Sequence, residues 1–157
     1  MALVSRKASY GIRAMTKLAE KAEENESATI AWLAEQDHLP RKFLEQVARD
    51  LRRAKLIESK PGPGGGCRLA RPPDYITVGQ VLRALDGDPV PSHCFEEGFS
   101  EDADDCPGCW GTKTCAIHEL WERLHDDIDE LLDTVTISDL LARQRALTPQ
   151  RALAAGK

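Results

Sequence analysis

The run PGPGGG at residues 61–66 is the feature that most restricts how this chain can fold. Its prolines and glycines are incompatible with a helix or a strand interior, so the run predicts a tight turn. Short β-prone segments flank it, LIESK before and CRLA after, and the three pieces together predict a β-hairpin. Glycines at the tip also let the backbone approach a phosphate without a side-chain clash.

A basic helix is predicted directly before this hairpin. Residues 40–54, PRKFLEQVARDLRRA, combine an apolar stripe with a basic face at helical spacing. The shorter segment IAWLAEQ, residues 30–36, can be capped by Thr29 and is separated from the basic helix by the break DHLP. Two short helices joined by a tight turn and followed by a hairpin predict a winged helix-turn-helix. With an amphipathic helix at residues 8–24, the predicted DNA-binding domain covers residues 1–73.

The formal net charge of −5 hides two oppositely charged halves. Residues 1–73 carry 14 Lys and Arg against 9 Asp and Glu, a net charge of +5, whereas residues 74–157 carry 7 against 17, a net charge of −10. The two values sum to the charge of the whole chain. A basic first half joined to an acidic second half indicates a nucleic-acid-binding module attached to a part with another role.

Four segments are predicted after the DNA-binding domain. Thr77 and Gln80 form a capping box that begins a helix, and Gly87 ends it. The stretch that follows is rich in Pro, Gly, Asp and Cys and is expected to be irregular. We divide this part of the chain into a connecting helix (residues 74–87) and a cysteine-rich segment (residues 88–114). A dimerisation helix with a short following helix (residues 115–145) and a flexible tail (residues 146–157) complete it.

The long helix that begins at residue 115 carries apolar residues at spacings of three and four, from Leu120 to Val135. Such a stripe is typical of a helix packed in the core of its own chain and equally of a helix that pairs with a second copy. We favour pairing, because a single winged helix reads few base pairs and two-fold symmetry doubles the site. The expected partners are therefore a second copy of this chain and double-stranded DNA with a palindromic operator.

The irregular segment concentrates soft metal ligands, with the spacing Cys94-x11-Cys106-x2-Cys109-x5-Cys115-x2-His118. The first residues of the chain contain no long apolar run, so we expect no secretory signal and no membrane span. We therefore expect a cytoplasmic protein with reduced thiols, which disfavours disulfides. Thiolates and an imidazole suit structural zinc or an iron–sulfur cluster, and the spacing alone leaves both open.

The chain resembles the IscR-like iron–sulfur transcription regulators, the Rrf2 family, over about residues 1–141. The resemblance rests on motifs in the same order: SRKASYGIRAM, LPRKFLEQVARDLRRAKLI, GPGGG, ITVGQVLRALDG, CWGTKTCAIHELW and TISDLL. It implies a mainly α fold with a small β-hairpin wing, in which a winged helix-turn-helix is followed by a long dimerisation helix. It also implies a DNA-binding regulator, not an enzyme, that senses iron–sulfur status, redox state or nitric oxide through a bound cluster.

The resemblance also implies a ligand set for that cluster. Cys109, Cys115 and His118 match the second cysteine, the third cysteine and the histidine that some members use. Cys94 is the best match for the first cysteine, with an acidic insertion after it. Cys106 is surplus and could replace Cys109, exchange with it or remain a free thiol. We favour a 2Fe–2S cluster over a 4Fe–4S cluster, and the alternative is structural zinc in the same segment, with a partner as the controlling signal.

Two sets of residues are expected to contact DNA. The basic helix at residues 40–54 is the recognition helix of the predicted helix-turn-helix. Side chains in or near its N-terminal half are expected to reach base edges in a major groove: Arg41, Lys42, Glu45, Gln46 and Arg49. Glutamine suits adenine, and arginine or lysine suits guanine. Residues better placed for phosphates, or for a close backbone approach in the wing, are Arg52, Arg53, Lys60, Arg6, Lys7, Gly64 and Gly65.

Two of the residues near the predicted interface have more than one interpretation. Glu45 either accepts from a cytosine amino group or pairs with Lys42 or Arg49 on the same helix face. Cys67 follows the glycines on a strand and lies far from the other cysteines in sequence. We expect it to be a small packing residue and not a metal ligand.

Overall fold

The computed structural model describes residues 4–62, 64–88 and 110–155. Within them the chain is mainly helical with one antiparallel hairpin, which confirms the predicted architecture. The α-helices and strands are α1 (Arg6–Glu23), α2 (Ile30–Asp37), α3 (Arg41–Arg53), β1 (Ile57–Lys60), β2 (Gly66–Leu69), α4 (Val78–Asp86), α5 (Ala116–Thr134) and α6 (Ile137–Ala155), and a 3-10 helix at Pro73–Tyr75 precedes α4. None of the described helices combines the length and the apolar character that a membrane crossing requires.

Side-chain caps set the starts of the first two helices. The hydroxyl of Ser5 accepts from the backbone N–H of Ala8, so α1 begins at Arg6 and not at residue 8. Thr29 caps α2 as predicted. His38 then adopts a left-handed conformation with φ of 52°, which ends α2 and turns the chain into α3 after three residues.

The hairpin is attached to the rest of the domain by its second strand. Its register begins with Ile57 opposite Leu69. The N–H of Cys67 donates to the carbonyl of Ala28 at 2.8 Å, and the N–H of Ala28 donates to the carbonyl of Cys67 at 3.0 Å. Cys67 is 4% exposed, which confirms it as a packing residue, and burial raises the pKa of its thiol.

One apolar core joins the DNA-binding domain to the elements that follow it. The largest fully buried side chains are Met15, Leu18, Val47, Leu51, Leu56, Ile76, Val81, Leu82 and Ile137. Burying such a side chain contributes about 1.5–3 kcal/mol relative to leaving it exposed. Helix α4, which begins at the predicted capping box of Thr77 and Gln80, and the first turns of α6 therefore pack with the winged helix beyond the boundary predicted at residue 73.

Polar contacts attach α5 to α4. Arg83 of α4 lies 2.8 Å from Asp129 and 2.6 Å from the second carboxylate oxygen of Asp133. The hydroxyl of Thr77 also donates to Asp133, at 3.0 Å. Gly79 permits this approach, because a Cβ at that position would collide with the Asp133 carboxylate. No residue of α5 is buried, so these ion pairs form much of its attachment to the chain.

Helix α6 is longer than the short helix that was predicted. It continues to Ala155, so residues 146–155, expected to belong to a flexible tail, extend the helix. Much of this sequence consists of Ala, Leu, Arg and Gln, which have high helix propensity. Arg145 also donates to both carboxylate oxygens of Glu23 on α1, at 3.0 and 2.7 Å, which anchors the middle of the helix.

Replacing Gly66 with alanine tests how the wing is attached. The new Cβ would lie 2.5 Å from the carbonyl oxygen of Ala28, a backbone atom that cannot rotate away. We expect urea denaturation to show a loss of about 1–3 kcal/mol in the free energy of unfolding, as is typical of overpacking. Lys60→Ala, at the exposed partner position in the same ladder, should change that free energy by less than about 0.5 kcal/mol. Equal stability of Gly66→Ala and the wild type would contradict this account.

Candidate functional site

Helix α3 has one apolar face and one polar face, as a recognition helix requires. Leu44, Val47 and Leu51 are at most 2% exposed and pack into the core. The exposed residues on the other side are Arg41, Lys42, Gln46 and Arg49, with Glu45 partly exposed. Three cations on one exposed face, directly before the hairpin, form the positive surface that duplex phosphates attract.

Glu45 pairs within the helix, although not with either of the predicted partners. The Nε of Arg41 donates to Glu45 at 3.0 Å, whereas the pairing interpretation of Glu45 named Lys42 or Arg49 as the partner. Helical side chains lean toward the N-terminus, which brings Glu45 over the preceding turn and toward residue 41. Both side chains remain largely exposed, and such pairs contribute only about 0–1 kcal/mol. Glu45 therefore stays available for contact with a base.

Asp50 is a buried carboxylate on α3 that the sequence analysis did not single out. Its side chain is 5% exposed, with Lys7 Nζ 2.8 Å from one oxygen and Arg53 Nη2 3.2 Å from the other. Gln46 Nε2 donates to both oxygens at 3.2 Å. The hydrogen bond from Lys7, together with that from Gln46, holds the pKa of Asp50 below its ordinary value. The sequence did contain a signal for these contacts within the helix. Asp50 follows Gln46 by four residues and precedes Arg53 by three, and side chains at these spacings are neighbours on a helix surface.

Lys7 and Arg6 are neighbours in sequence with different surroundings. Besides its contact with Asp50, the ammonium of Lys7 donates to the carbonyl of Leu85 at 2.8 Å. Lys7 thus joins α1 to both α3 and α4, an engagement that leaves it poorly suited to the phosphate contact predicted for it. Arg6 is exposed and remains a candidate for that contact.

Arg52 connects the recognition helix to the wing. Its Nε donates to the carbonyl of Ala48 at 3.1 Å and its Nη1 to the hydroxyl of Ser59 on β1 at 3.0 Å. Lys60, at the end of the same strand, is exposed. The hairpin is therefore oriented by the helix that precedes it, with a cation close to its turn.

The glycine-rich turn of the wing makes a hydrogen bond with Ser27, which precedes α2. Gly64 has a φ of +74° and is exposed, and its carbonyl accepts from the hydroxyl of Ser27 at 2.7 Å. Gly65 is partly buried, and a Cβ there would lie 2.6 Å from the carbonyl oxygen of Gly62. Both positions thus have a structural need for glycine besides the predicted approach to DNA.

Three of the predicted cluster ligands, Cys94, Cys106 and Cys109, lie outside the described residues. Cys115 is the N-cap residue of α5 with no side-chain capping bond, and His118 follows within the first turn. Both are partly buried. Within the described part of the chain, no group of three or more His, Cys, Asp or Glu side chains that could hold a metal is found.

An ion pair joins the first residue of the cysteine-rich segment to α5. His125 of α5 lies 3.0 Å from Asp88, the first residue of that segment, and 3.8 Å from Asp129. The hydrogen bond with Asp88 is the main reason that the pKa of His125 is raised above its ordinary value. The pair ties α5 to the chain at the point where the segment begins.

The end of α4 is fastened to the start of α1. The backbone N–H and the hydroxyl of Ser5 donate to the two carboxylate oxygens of Asp86, at 2.9 and 2.6 Å. Together with the contact between Lys7 and Leu85, this places the beginning of the cysteine-rich segment beside the DNA-binding domain.

An exposed apolar stripe runs along α5. Leu120 and Leu131 are 59% and 63% exposed, and Ile117, Trp121 and Leu124 are also exposed. Their spacing of three and four residues places them on one face. Leu132 of the same helix is partly buried against the core of its own chain, whereas no residue of α5 is fully buried. A contiguous apolar face of this kind marks an interaction surface.

Comparisons with known proteins agree in both sequence and fold. The family model Rrf2, described as an iron-dependent transcriptional regulator, matches residues 4–143. The HTH-type transcriptional regulator IscR of Aliivibrio salmonicida is 34% identical over 135 residues, which cover 86% of this chain and 74% of that protein. The structure of CymR, the global cysteine regulator of B. subtilis, gives a TM-score of 0.70 at 33% identity and covers 91% of this chain and 98% of that one.

The T. potens IscR structure gives a TM-score of 0.67 at 32% identity, covering 90% of this chain and 87% of that one. These similarities confirm the predicted fold class. The names of the matched relatives are those of transcriptional regulators, in agreement with the expectation that the chain is not an enzyme.

Asp88→Asn tests the ion pair at the base of the segment. Because Asp88 raises the folded-state pKa of His125, the pair stabilises the fold fully below the unfolded-state pKa of about 6.5. This contribution is lost as the pH rises through the folded-state pKa. NMR titration of the imidazole resonances should therefore show a lower His125 pKa in the variant. The variant should also lose more stability at about pH 5.5 than at about pH 8.5.

Asp127→Asn is the matched control for this measurement, because Asp127 is an exposed carboxylate on the same helix. It should leave the titration of His125 nearly unchanged. An unchanged titration in Asp88→Asn as well would rule out the pair.

Proposed function

This chain belongs to the Rrf2 family of transcriptional regulators, and from that membership we propose that it is a homodimeric, cytoplasmic DNA-binding regulator that senses iron–sulfur status, redox state or nitric oxide. One observation carries the DNA-binding part of the proposal. The exposed basic face of α3 lies next to a glycine-tipped hairpin that Arg52 orients on the helix. This is the arrangement by which winged helices bind duplex DNA.

The contacts with DNA divide between the helix and the wing. Arg41, Lys42 and Arg49 are exposed on α3 and can reach base edges or phosphates when the helix enters a major groove. Lys60 and the glycine tip lie one strand away, where the hairpin can follow the backbone or enter a minor groove. The affinity would come mainly from the phosphate contacts and would fall with salt.

We further propose that Cys94, Cys109, Cys115 and His118 hold an iron–sulfur cluster, 2Fe–2S in preference to 4Fe–4S, with Cys106 as an alternative ligand. The two described members fit such a group. Cys115 lies at the N-terminus of α5, where the helix dipole stabilises negative charge such as a thiolate, and His118 follows within one turn. Thiolates and imidazole are the donors that these clusters take, and a bound cluster supplies reversible one-electron chemistry.

A series of contacts within the chain connects the two ends of the cysteine-rich segment to the helix that carries the DNA-binding face. Helix α4 ends at Asp86 and α5 begins at Ala116, so the two helices flank the segment. Helix α4 is joined to α1 through Ser5 and Lys7, and Lys7 is joined to Asp50 of α3. A change in the segment that moves these helix ends would therefore bias α3 between DNA-competent and DNA-incompetent arrangements.

A second candidate is a regulator without a cluster. It is favoured by the similarity to CymR, the protein named as a global cysteine regulator, at 33% identity. In this case the cysteines would hold structural zinc or remain thiols, and a bound partner would control DNA binding.

Metal and sulfide analysis separates the two candidates. Protein purified without oxygen should be brown and should contain iron and acid-labile sulfide. Its visible absorption should be lost when Cys94, Cys109 or Cys115 is replaced with serine. Cys67→Ala, which alters the buried packing cysteine, is the control and should keep the colour. Colourless protein, with about one zinc per chain or with no metal, would contradict the cluster and leave the DNA-binding proposal standing.

We propose that the apolar stripe of α5 pairs with the same stripe on a second copy of the chain. Five large apolar side chains on one helix face are 38% to 63% exposed. Complete burial of a fully exposed side chain of this kind contributes about 1.5–3 kcal/mol, so each of them would contribute part of that amount before the entropic cost of association. Two-fold pairing would also present two recognition helices to a palindromic operator.

Leu124→Glu tests this pairing. A carboxylate in the middle of the stripe would be buried without a partner, so light scattering should show a monomer where the wild type is a dimer. Arg123→Glu introduces the same side chain at the adjacent exposed position outside the stripe, and this variant should remain dimeric. A monomeric wild type, or a dimeric Leu124→Glu variant, would contradict the proposed interface.

A further inference from the structure

The side-chain amide of Gln46, a residue proposed to read a base, is held by Asp50 on the next turn of the helix. Its Nε2 donates to both carboxylate oxygens at 3.2 Å. An ionised carboxylate can only accept hydrogen bonds. The amide must therefore turn its NH2 group toward Asp50 and its carbonyl oxygen away from it.

Asp50 is kept in the accepting form by its surroundings. Its side chain is 5% exposed, and the ammonium of Lys7 lies 2.8 Å from Oδ2 while Arg53 lies 3.2 Å from Oδ1. Lys7 is itself fixed by its bond to the carbonyl of Leu85. A buried carboxylate with two cations against it stays ionised, and its pKa is accordingly lowered.

This orientation limits what Gln46 can recognise. A glutamine reads adenine with both ends of its amide, accepting from the N6 amino group and donating to N7. With Nε2 engaged by Asp50, the carbonyl oxygen is the end of the amide that is left for a base. An acceptor can bind the exocyclic amino group of cytosine or of adenine, and it repels the acceptor edges of guanine and thymine.

We propose that Asp50 is a specificity-determining positioning residue, which orients the amide of Gln46 so that Gln46 selects cytosine or adenine through Oε1 alone, without contact to N7. This inference rests on the proposed DNA-binding role of α3 and does not depend on the cluster.

Selection of bound duplexes from a random library tests the proposal with the full-length protein. Gln46→Ala identifies the base pair that Gln46 reads, because discrimination at that position should relax. The wild type should prefer cytosine or adenine there. Replacing a preferred adenine with 7-deazaadenine should change the wild-type affinity by less than about twofold, since N7 takes no part.

Asp50→Asn should change that preference. Asparagine can donate as well as accept, so the Gln46 amide can turn around and present its NH2 group to the groove. Guanine or thymine should then be accepted at this position, and discrimination against them should fall by about tenfold, the effect of one good base contact. Removal of a negative charge would also raise the affinity for all sequences, so base preferences and not absolute affinities are compared.

Asp37→Asn is the matched control. Asp37 is also a buried carboxylate, with a side chain 1% exposed and paired with Arg13 and Lys17 at 2.8 Å. It lies at the end of α2, so its replacement removes a comparable ion pair away from Gln46. The base preference at the Gln46 position should not change in this variant.

NMR of the DNA-free wild type provides a second test, which holds even where Asp50→Asn does not fold. The side-chain NH2 of Gln46 should exchange with water more slowly than that of the exposed Gln36. Equal exchange rates, a loss of about tenfold or more with 7-deazaadenine, or an unchanged base preference in folded Asp50→Asn or in Gln46→Ala would each overturn the proposal. If the wild type enriches no sequence at all, the DNA-binding role fails and this inference fails with it.

Discussion

The close approach of α1 and α4 is the constraint on which much of the structure depends. Gly11 makes it possible, because a Cβ at that position would collide with the side chain of Leu85. The distance between packed helices follows from the size of the side chains at their contact. At this separation the carbonyl of Leu85 comes within 2.8 Å of Lys7, whose ammonium also reaches Asp50. A single small residue thus allows one charged side chain to link three helices.

The distribution of charge decides which surface can approach DNA. Helix α5 carries seven carboxylates and one arginine, so it is repelled by phosphates while the basic face of α3 is attracted. Arg83 neutralises part of this acidity by pairing with Asp129 and Asp133, which is also how α5 is held on α4. Two copies of so acidic a helix repel each other. If two copies pair as proposed, the attraction between them comes from the apolar stripe, and salt strengthens the pairing by screening the carboxylates.

Local signals in the sequence predicted those parts of the fold that depend on neighbouring residues. The glycine run predicted the wing, and Thr29 and the pair of Thr77 with Gln80 predicted two helix starts. The helical spacing of Asp50 from Gln46 and Arg53 indicates local pairing, but its burial was not predictable in this way, because its partner Lys7 lies on a helix distant in sequence. For the same reason Lys7 was assigned to phosphates. Charged residues read from sequence alone are by default assigned to the surface, and only tertiary packing shows which of them are buried in pairs.

The strength of the contacts around α4 suits a reversible change in DNA affinity. The exposed contacts of Asp86 with Ser5 and of Asp88 with His125 contribute up to about 1 kcal/mol each. Breaking the pair of Lys7 with the buried Asp50 would cost more, because it would leave a buried charge without its partner. A coupling free energy of about 1–3 kcal/mol changes an affinity by about 5- to 150-fold. The free energy lost when one or two of these contacts break falls in the same range of about 1–3 kcal/mol. The apolar side chains of α4 are buried, so the proposed signal from the cysteine-rich segment would act through these polar contacts and would not need to unfold the domain that carries the recognition helix.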